Sequence, residues 1–173
     1  VTSPQLLENS TILPSYHDKI EVIPLSYNER FNSGKQKARS LTAGRPFQIL
    51  FVGRLRAYKG VSILLQAIKD LNVTLSIVGN GEYGNELKLL VNELNIASKV
   101  DFYGDLDDSQ VEEMYRNSDL FILPSVNEAE AFGVVQLEAM ATGLPVINTN
   151  LKSGVPFVSL HNSTGLTVEP KNV

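Results

Sequence analysis

The chain has 173 residues, 43% hydrophobic and 20% charged, with a formal net charge of −4. That length sets a prior of one domain with a sizeable core, and the apolar share excludes a disordered or low-complexity chain. Nineteen acidic against fifteen basic residues leave no positive field for a polyphosphate backbone, so nucleic acid is not an expected partner.

Without cysteine there is no disulfide, thiolate metal site or cysteine nucleophile, and His17 and His161 read as surface residues. Neither a metal nor a cofactor is expected. No apolar run approaches the roughly 20 residues that span a bilayer, and residues 1 to 16 lack the basic start and apolar centre of a signal peptide. A cytoplasmic location follows, with the sequons at Asn9, Asn72 and Asn162 read as chance.

In chain order, Ser3-Pro4 opens a short helix and Glu21 to Leu25 reads as an extra strand. Arg30 to Pro46 then carries Arg30, Lys35, Lys37, Arg39 and Arg45 with no acid. A solvated loop is the default reading, an acceptor or lipid-headgroup site the alternative. From Phe47 onward strand-like runs alternate with helix-like segments. The strands are Phe47 to Val52, Val73 to Val78, Val100 to Tyr103, Leu120 to Leu123 and Pro145 to Ile147. The strongest are apolar on both faces, as a parallel sheet covered on both sides requires. Val61, Leu64, Leu65, Ile68 and Leu71 repeat with helical period, as do Leu87, Leu90, Val91 and Leu94. Val111, Met114 and Tyr115 mark a shorter helix; Val134, Leu137, Met140 and Ala141 mark one that Gly143 and Pro145 stop. The fold class is a doubly wound parallel α/β sheet, whose ligands bind in the loops at strand carboxyl ends.

Gly79-Asn80-Gly81-Glu82-Tyr83-Gly84 is a literal G-x-G-x-x-G, the spacing of a dinucleotide fingerprint. The acid such a site needs is misplaced, because Asp101 starts its strand instead of ending it, so a glycine-rich turn needing positive φ is the favoured reading. Asp105-Leu106-Asp107 resembles a metal-holding D-x-D, yet Asp107 or Asp108 with Gln110 reads better as a helix capping box.

Two constellations remain at strand ends. In Gly53 to Gly60, Arg54 and Lys59 lie five residues apart before a helix, a planar fork and a point charge suited to a diphosphate. A basic surface turn is the alternative. In Pro124 to Met140, Glu130 and Glu138 are eight residues apart. A continuous helix would separate them by about 12 Å, beyond the roughly 5 to 9.5 Å of a glycosidase pair. Two carboxylates can instead grip opposite ends of a hydroxyl-rich ligand, with the N–H groups of Phe132, Gly133 and Val134 meeting an anion between them. For Glu138 a plain helix-surface role stays open.

These segments together resemble the nucleotide-sugar half of a retaining glycosyltransferase of family 4 and GT-B architecture. G-R-L-x-x-x-K-G at 53–60, L-P-S at 123–125 and E-x7-E at 130–138 stand in family order, and the likeness runs from Val1 to about Pro170. The resemblance implies a Rossmann-like donor domain over 21–173, with 1–20 a linker from an amino-terminal domain. It implies a catalytic role for Glu130, Arg54 and Lys59. Arg54 and Lys59 would hold the donor diphosphate in place of a metal, Glu130 the sugar and Glu138 the ribose. Phe132, Gly133 and Val134 would supply amides, Gly53 would adjoin the phosphates, and the turns near Gly79, Gly81 and Gly104 would touch the base. Retention of configuration would follow from front-face attack.

The implied partners are a UDP-, GDP- or ADP-linked sugar and a glycan or lipid-linked acceptor, with the full-length enzyme at the inner face of a membrane. Asn148 to Pro156 resembles transferases of bacterial surface-polysaccharide assembly, often mannosyltransferases using GDP-mannose. The chain departs from the family's I-P-x-G-[IV]-D at Ile23 to Asn28. It also lacks the acceptor half and the closing helices, so it reads as an excised piece inactive alone. A nicotinamide module on Gly79 to Gly84 and a non-catalytic interaction domain are the competing readings.

Overall fold

Runs of four to six residues that are apolar on both faces set the centre of the fold. The computed structural model describes residues 1–32 and 45–173, so Lys35, Lys37 and Arg39 lie outside the described residues. Strands β1 (Phe47–Val52), β2 (Val73–Val78), β3 (Val100–Gly104), β4 (Leu120–Leu123), β5 (Val146–Thr149) and β6 (Gly165–Val168) form one sheet in the order β3-β2-β1-β4-β5-β6. Every neighbouring pair is parallel. The strand order reverses between β1 and β4, the place where such sheets open a ligand crevice.

Helices cover both faces, which is why the strands need apolar residues at successive positions. Ile49 and Phe51 point to one layer, with Leu75, Ile77 and the stripes of α2 (Val61–Ala67) and α3 (Gly84–Glu93). Leu50, Val78, Phe121 and Leu123 point to the other, with Tyr115 of α4 (Asp108–Asn117) and Ala139 of α5 (Val135–Ala141). Each fully buried Leu, Ile or Phe contributes about 1.5–3 kcal/mol over its exposed state. Two short helices complete the set: α1 (Pro4–Glu8), which Ser3 caps through the Leu6 N–H, and α6 (Val155–Val158).

Several expectations change. Glu21 to Leu25 is not a strand: the Ile23 N–H donates to the Val1 carbonyl at 2.8 Å and the Val1 ammonium to the Glu21 carbonyl at 2.8 Å, while Ile23 and Leu25 stay exposed. Helix α2 ends at Ala67 instead of reaching Leu71, and in the turn toward β2 Lys99 Nζ satisfies the carbonyls of Lys69 and Leu71 at 2.8 and 2.7 Å. Helix α4 has ten residues, as many as α3, because Asp107 and Gln110 form a capping box a turn before its apolar stripe. Strand β5 runs two residues beyond Ile147 through the buried polar Asn148 and Thr149, and the edge strand β6 was not foreseen. Of the basic stretch, Arg30 pairs with Asp108 at 2.5 Å and Arg45 grips Asp119 through two bonds of 2.6 Å. Both cations serve ion pairs within the fold.

The loops after β1 and β4 are pressed together at Gly60, whose φ is 69° and whose missing Cβ would lie 1.9 Å from the Pro124 carbonyl oxygen. Gly60→Ala is therefore expected to lower stability by about 2 kcal/mol or more, since strain at positive φ adds to a backbone clash. A urea melt with a reduced midpoint and an unchanged slope is the readout.

Candidate functional site

At the switch point, the segment after β1 closes into a tight turn over Ala57–Lys59, which Gly60 ends in a left-handed conformation. The turn aims Lys59 at the loop after β4. Its Nζ lies 2.5 Å from Glu130 Oε2, and the Ser125 hydroxyl donates to the same oxygen at 2.9 Å. The Lys59 and Glu130 side chains are only 11% and 9% exposed. The Val126 N–H donates to the Tyr58 carbonyl at 2.8 Å, and the Thr149 hydroxyl after β5 donates to the Ser125 carbonyl at 2.6 Å. Three strand exits thus fix one buried ion pair. Its desolvation offsets most of its attraction, so its worth lies in geometry, while removing one partner strands a charge.

Arg54 is exposed on the same loop and lines a cleft of about 270 Å³ with Gly53, Gly79, Asn80, Asp105 and Leu106. Gly53 abuts Lys59, whose Nζ would lie 3.7 Å from a Cβ there. The glycines of the G-x-G-x-x-G serve loop packing. A Cβ at Gly79 would meet the Gly53 carbonyl oxygen at 2.2 Å, and one at Gly81 the Leu55 carbonyl oxygen at 2.2 Å. Gly79 has φ of 117°, as expected, but the constraint at Gly81 is steric. The Leu55 N–H donates to the Asn80 carbonyl at 2.9 Å, and the Gly79 N–H to Gly104 at 2.7 Å, tying the exits of β1, β2 and β3 into one wall. Asp105 accepts from Asn80 Nδ2 at 2.9 Å while Asp107 caps α4, so the D-x-D carboxylates have separate structural partners. His17 and His161 are exposed, and His161 Nδ1 accepts the Thr167 N–H at 3.0 Å.

Glu130 and Glu138 do not share a helix, because α5 begins only at Val135. The helical estimate of their separation therefore does not apply. Gly133 makes the bend between them, with φ of 75° and Leu123 Cδ2 just 2.6 Å from where a Cβ would sit. Among the described residues no hydrogen bond uses the N–H of Phe132, Gly133 or Val134. Glu138, on α5, accepts a hydrogen bond of 2.9 Å from the Tyr115 hydroxyl. Burial pushes the Glu138 carboxyl above its ordinary pKa; the Tyr115 bond opposes the shift and repulsion from Asp108 adds to it. Burial also drives the Tyr115 phenol well above its usual value, reinforced by Glu138.

Residues 32–173 match the group 1 glycosyl transferases. The chain belongs to this family. It is 31% identical to the D-rhamnosyltransferase WbpZ of Pseudomonas aeruginosa, over 97% of the chain and 45% of that protein. It is 29% identical to an O-antigen chain mannosyltransferase C of Escherichia coli, over 99% of the chain and 46% of that protein. The chain thus spans less than half the length of these relatives. The structure of Anabaena Alr3699/HepE in complex with UDP-glucose superposes with a TM-score of 0.73 and 26% identity, covering 87% of this chain and 43% of that one. The Rossmann-like sheet of a GT-B glycosyltransferase is therefore what the sequence folds into. No helix among the described residues is long and apolar enough to cross a membrane, and none of their acidic or histidine side chains gather in a group of three able to hold a metal.

In this group 1 domain the structure joins Lys59 to Glu130 and places Arg54 with Gly53 and Gly79 in the neighbouring cleft. Sequence reasoning missed Tyr115, which it counted only as core, and gave Ser125 no role beyond the L-P-S motif. Their partners are 23 and 5 residues away, and only the polar tip of an apolar-stripe tyrosine hinted at the first.

Lys59→Met should cost about 3–5 kcal/mol by leaving Glu130 unpaired, and Lys59→Met with Glu130→Gln should recover most of it. Urea denaturation of both singles and the double tests this coupling. Glu138→Gln should melt no lower than wild type at pH 7.5, because it relieves a desolvated carboxylate. As the folded-state pKa is the higher one, the wild-type disadvantage shrinks as pH falls through it.

Proposed function

We propose that the chain is the donor-binding domain of a retaining, metal-independent hexosyltransferase of bacterial polysaccharide or lipopolysaccharide synthesis, with residues 21–173 as the domain and 1–20 as a linker. The observation that carries this reading is the Lys59–Glu130–Ser125 cluster beside the Arg54 cleft at the switch point. The donor is a nucleoside diphosphate sugar, as in the HepE complex with UDP-glucose, and the acceptor is a glycan or lipid-linked glycan held by residues outside this chain, on the inner face of a membrane. The names of WbpZ, a D-rhamnosyltransferase, and of the O-antigen chain mannosyltransferase favour a mannose-type or rhamnose-type sugar, GDP-linked in keeping with the resemblance.

In this mechanism Arg54 takes two oxygens of the diphosphate in its fork, and Lys59 donates to another while keeping Glu130. The sugar lies against Glu130 and the free amides of Phe132 to Val134. As the bond between the anomeric carbon and the diphosphate oxygen breaks, the pair of cations neutralises the charge building on the leaving group. The acceptor hydroxyl attacks the same face of that carbon, and its proton passes to the departing phosphate oxygen. Glu138 accepts from the ribose hydroxyls at the far end of the donor.

A nicotinamide module is the weaker reading, because the glycines it would use are filled by the backbone of Gly53 and Leu55. Calorimetric titration of the chain with UDP, GDP and ADP in EDTA should give saturable binding of at least one. Arg54→Ala and Lys59→Ala should each weaken it by about 10- to 100-fold, as loss of a charge-assisted bond costs about 1.5–3 kcal/mol. Equal binding by wild type and both variants contradicts the reading, and no binding at all supports a domain kept for interaction alone.

A further inference from the structure

Among the described residues Tyr115 is the largest fully buried side chain, and it carries a polar group. It stands on α4 with its ring against Phe31, centroids 5.8 Å apart at 88°, and against Phe121 at 5.7 Å. Those contacts leave the ring one orientation, and that orientation carries its hydroxyl to Glu138 Oε2 at 2.9 Å and within 3.3 Å of the Val135 carbonyl. A phenylalanine would fill the same volume, so packing does not explain the oxygen. The bond ties α5 to α4, and Leu106 and Val111, flanking the start of α4, line the cleft that holds Arg54.

We propose that Tyr115 is a positioning residue: by holding Oε2 of Glu138 from beneath, it presents the other carboxylate oxygen to the vicinal hydroxyls of the donor ribose. This inference rests on the reading of Glu138 as the ribose acceptor. A carboxylate without the tether rotates about its terminal torsions and offers its two oxygens to vicinal hydroxyls only part of the time. The same bond favours the ionised form of Glu138. Among the described residues, Tyr115 and Asp108, both on α4, bear on its charge, and Asp108 is itself paired with Arg30 at 2.5 Å. Burial and Asp108 raise the Glu138 pKa and the tyrosine hydroxyl lowers it. Without the hydroxyl, Glu138 takes up its proton at a higher pH and there accepts from ribose more weakly, with one of its oxygens turned donor.

The test compares wild type, Tyr115→Phe and Glu138→Gln by calorimetry from pH 5.5 to 8.5, using UDP, GDP and ADP and their 2′-deoxy counterparts. At pH 8, Tyr115→Phe should bind the ribonucleotide on the order of tenfold more weakly while binding of the deoxynucleotide barely changes. The pH below which ribonucleotide affinity falls should move upward, and a carboxyl-detected NMR titration should place the Glu138 midpoint higher than in wild type, with or without nucleotide. Tyr115→Phe with wild-type affinity and an unmoved Glu138 midpoint overturns the positioning role while leaving Glu138 as the ribose acceptor, provided Glu138→Gln still weakens binding. Equal losses for both sugars in Tyr115→Phe also overturn it, as the mark of a merely structural residue. If Glu138→Gln binds like wild type, the reading of Glu138 itself fails and the positioning role falls with it.

Discussion

The buried ion pair between Lys59 and Glu130 is the constraint on which the rest of the site depends. Its partners come from the loops after two adjacent strands and lie 71 residues apart in sequence, and both sit where a lone charge would be costly. The surrounding features keep that pair in register: Gly60 pressed under the Pro124 carbonyl, the Val126 to Tyr58 bond, the Ser125 hydroxyl on the same oxygen, and Thr149 bracing Ser125 from the next strand. Apart from the Val126 to Tyr58 backbone bond, each is a close approach that a glycine or a small hydroxyl residue makes possible.

The same logic explains why a glycine-rich segment can imitate a dinucleotide fingerprint without being one. Gly79 and Gly81 let the loop after β2 lie against the backbone of the loop after β1, within 2.2 Å of where their side chains would begin. That wall supports Arg54 from behind and closes one side of the cleft. The glycines therefore act on the site through the placement of the loop that carries Arg54.

Much of the scaffold was legible in the sequence because it obeys local rules. Residues 49–52 and Leu120–Leu123 are apolar on both faces, and only a strand between two helical layers needs that. Strand β6 was not legible because Gly165 to Val168 lies at the sheet edge with Leu166 and Val168 exposed. The extension of β5 was hidden by Asn148 and Thr149, polar residues buried among hydrogen bonds that periodicity cannot register. Glu21 to Leu25 misled in the opposite direction: the backbone of Glu21 and Ile23 bonds to the chain's first residue, and Ile23 and Leu25 face outward. At the site, motif spacing pointed to the charged residues. It gave no sign of Ser125 or Tyr115 as their holders, since those contacts exist only after folding.

The central claim is that a nucleoside diphosphate sits across the switch point, on the loops of Arg54 and Lys59, with its sugar toward the amides before α5. The most direct measurement is the change in backbone amide chemical shifts of the 173-residue chain as UDP, GDP or ADP is added. The account predicts large shifts at Gly53 to Gly60, at Gly79 to Gly81 and at Phe132 to Val134 for the nucleotide that binds. Shifts confined to the turn from Glu82 onward, with the amides of Gly53 to Gly60 and Phe132 to Val134 unmoved, would contradict it.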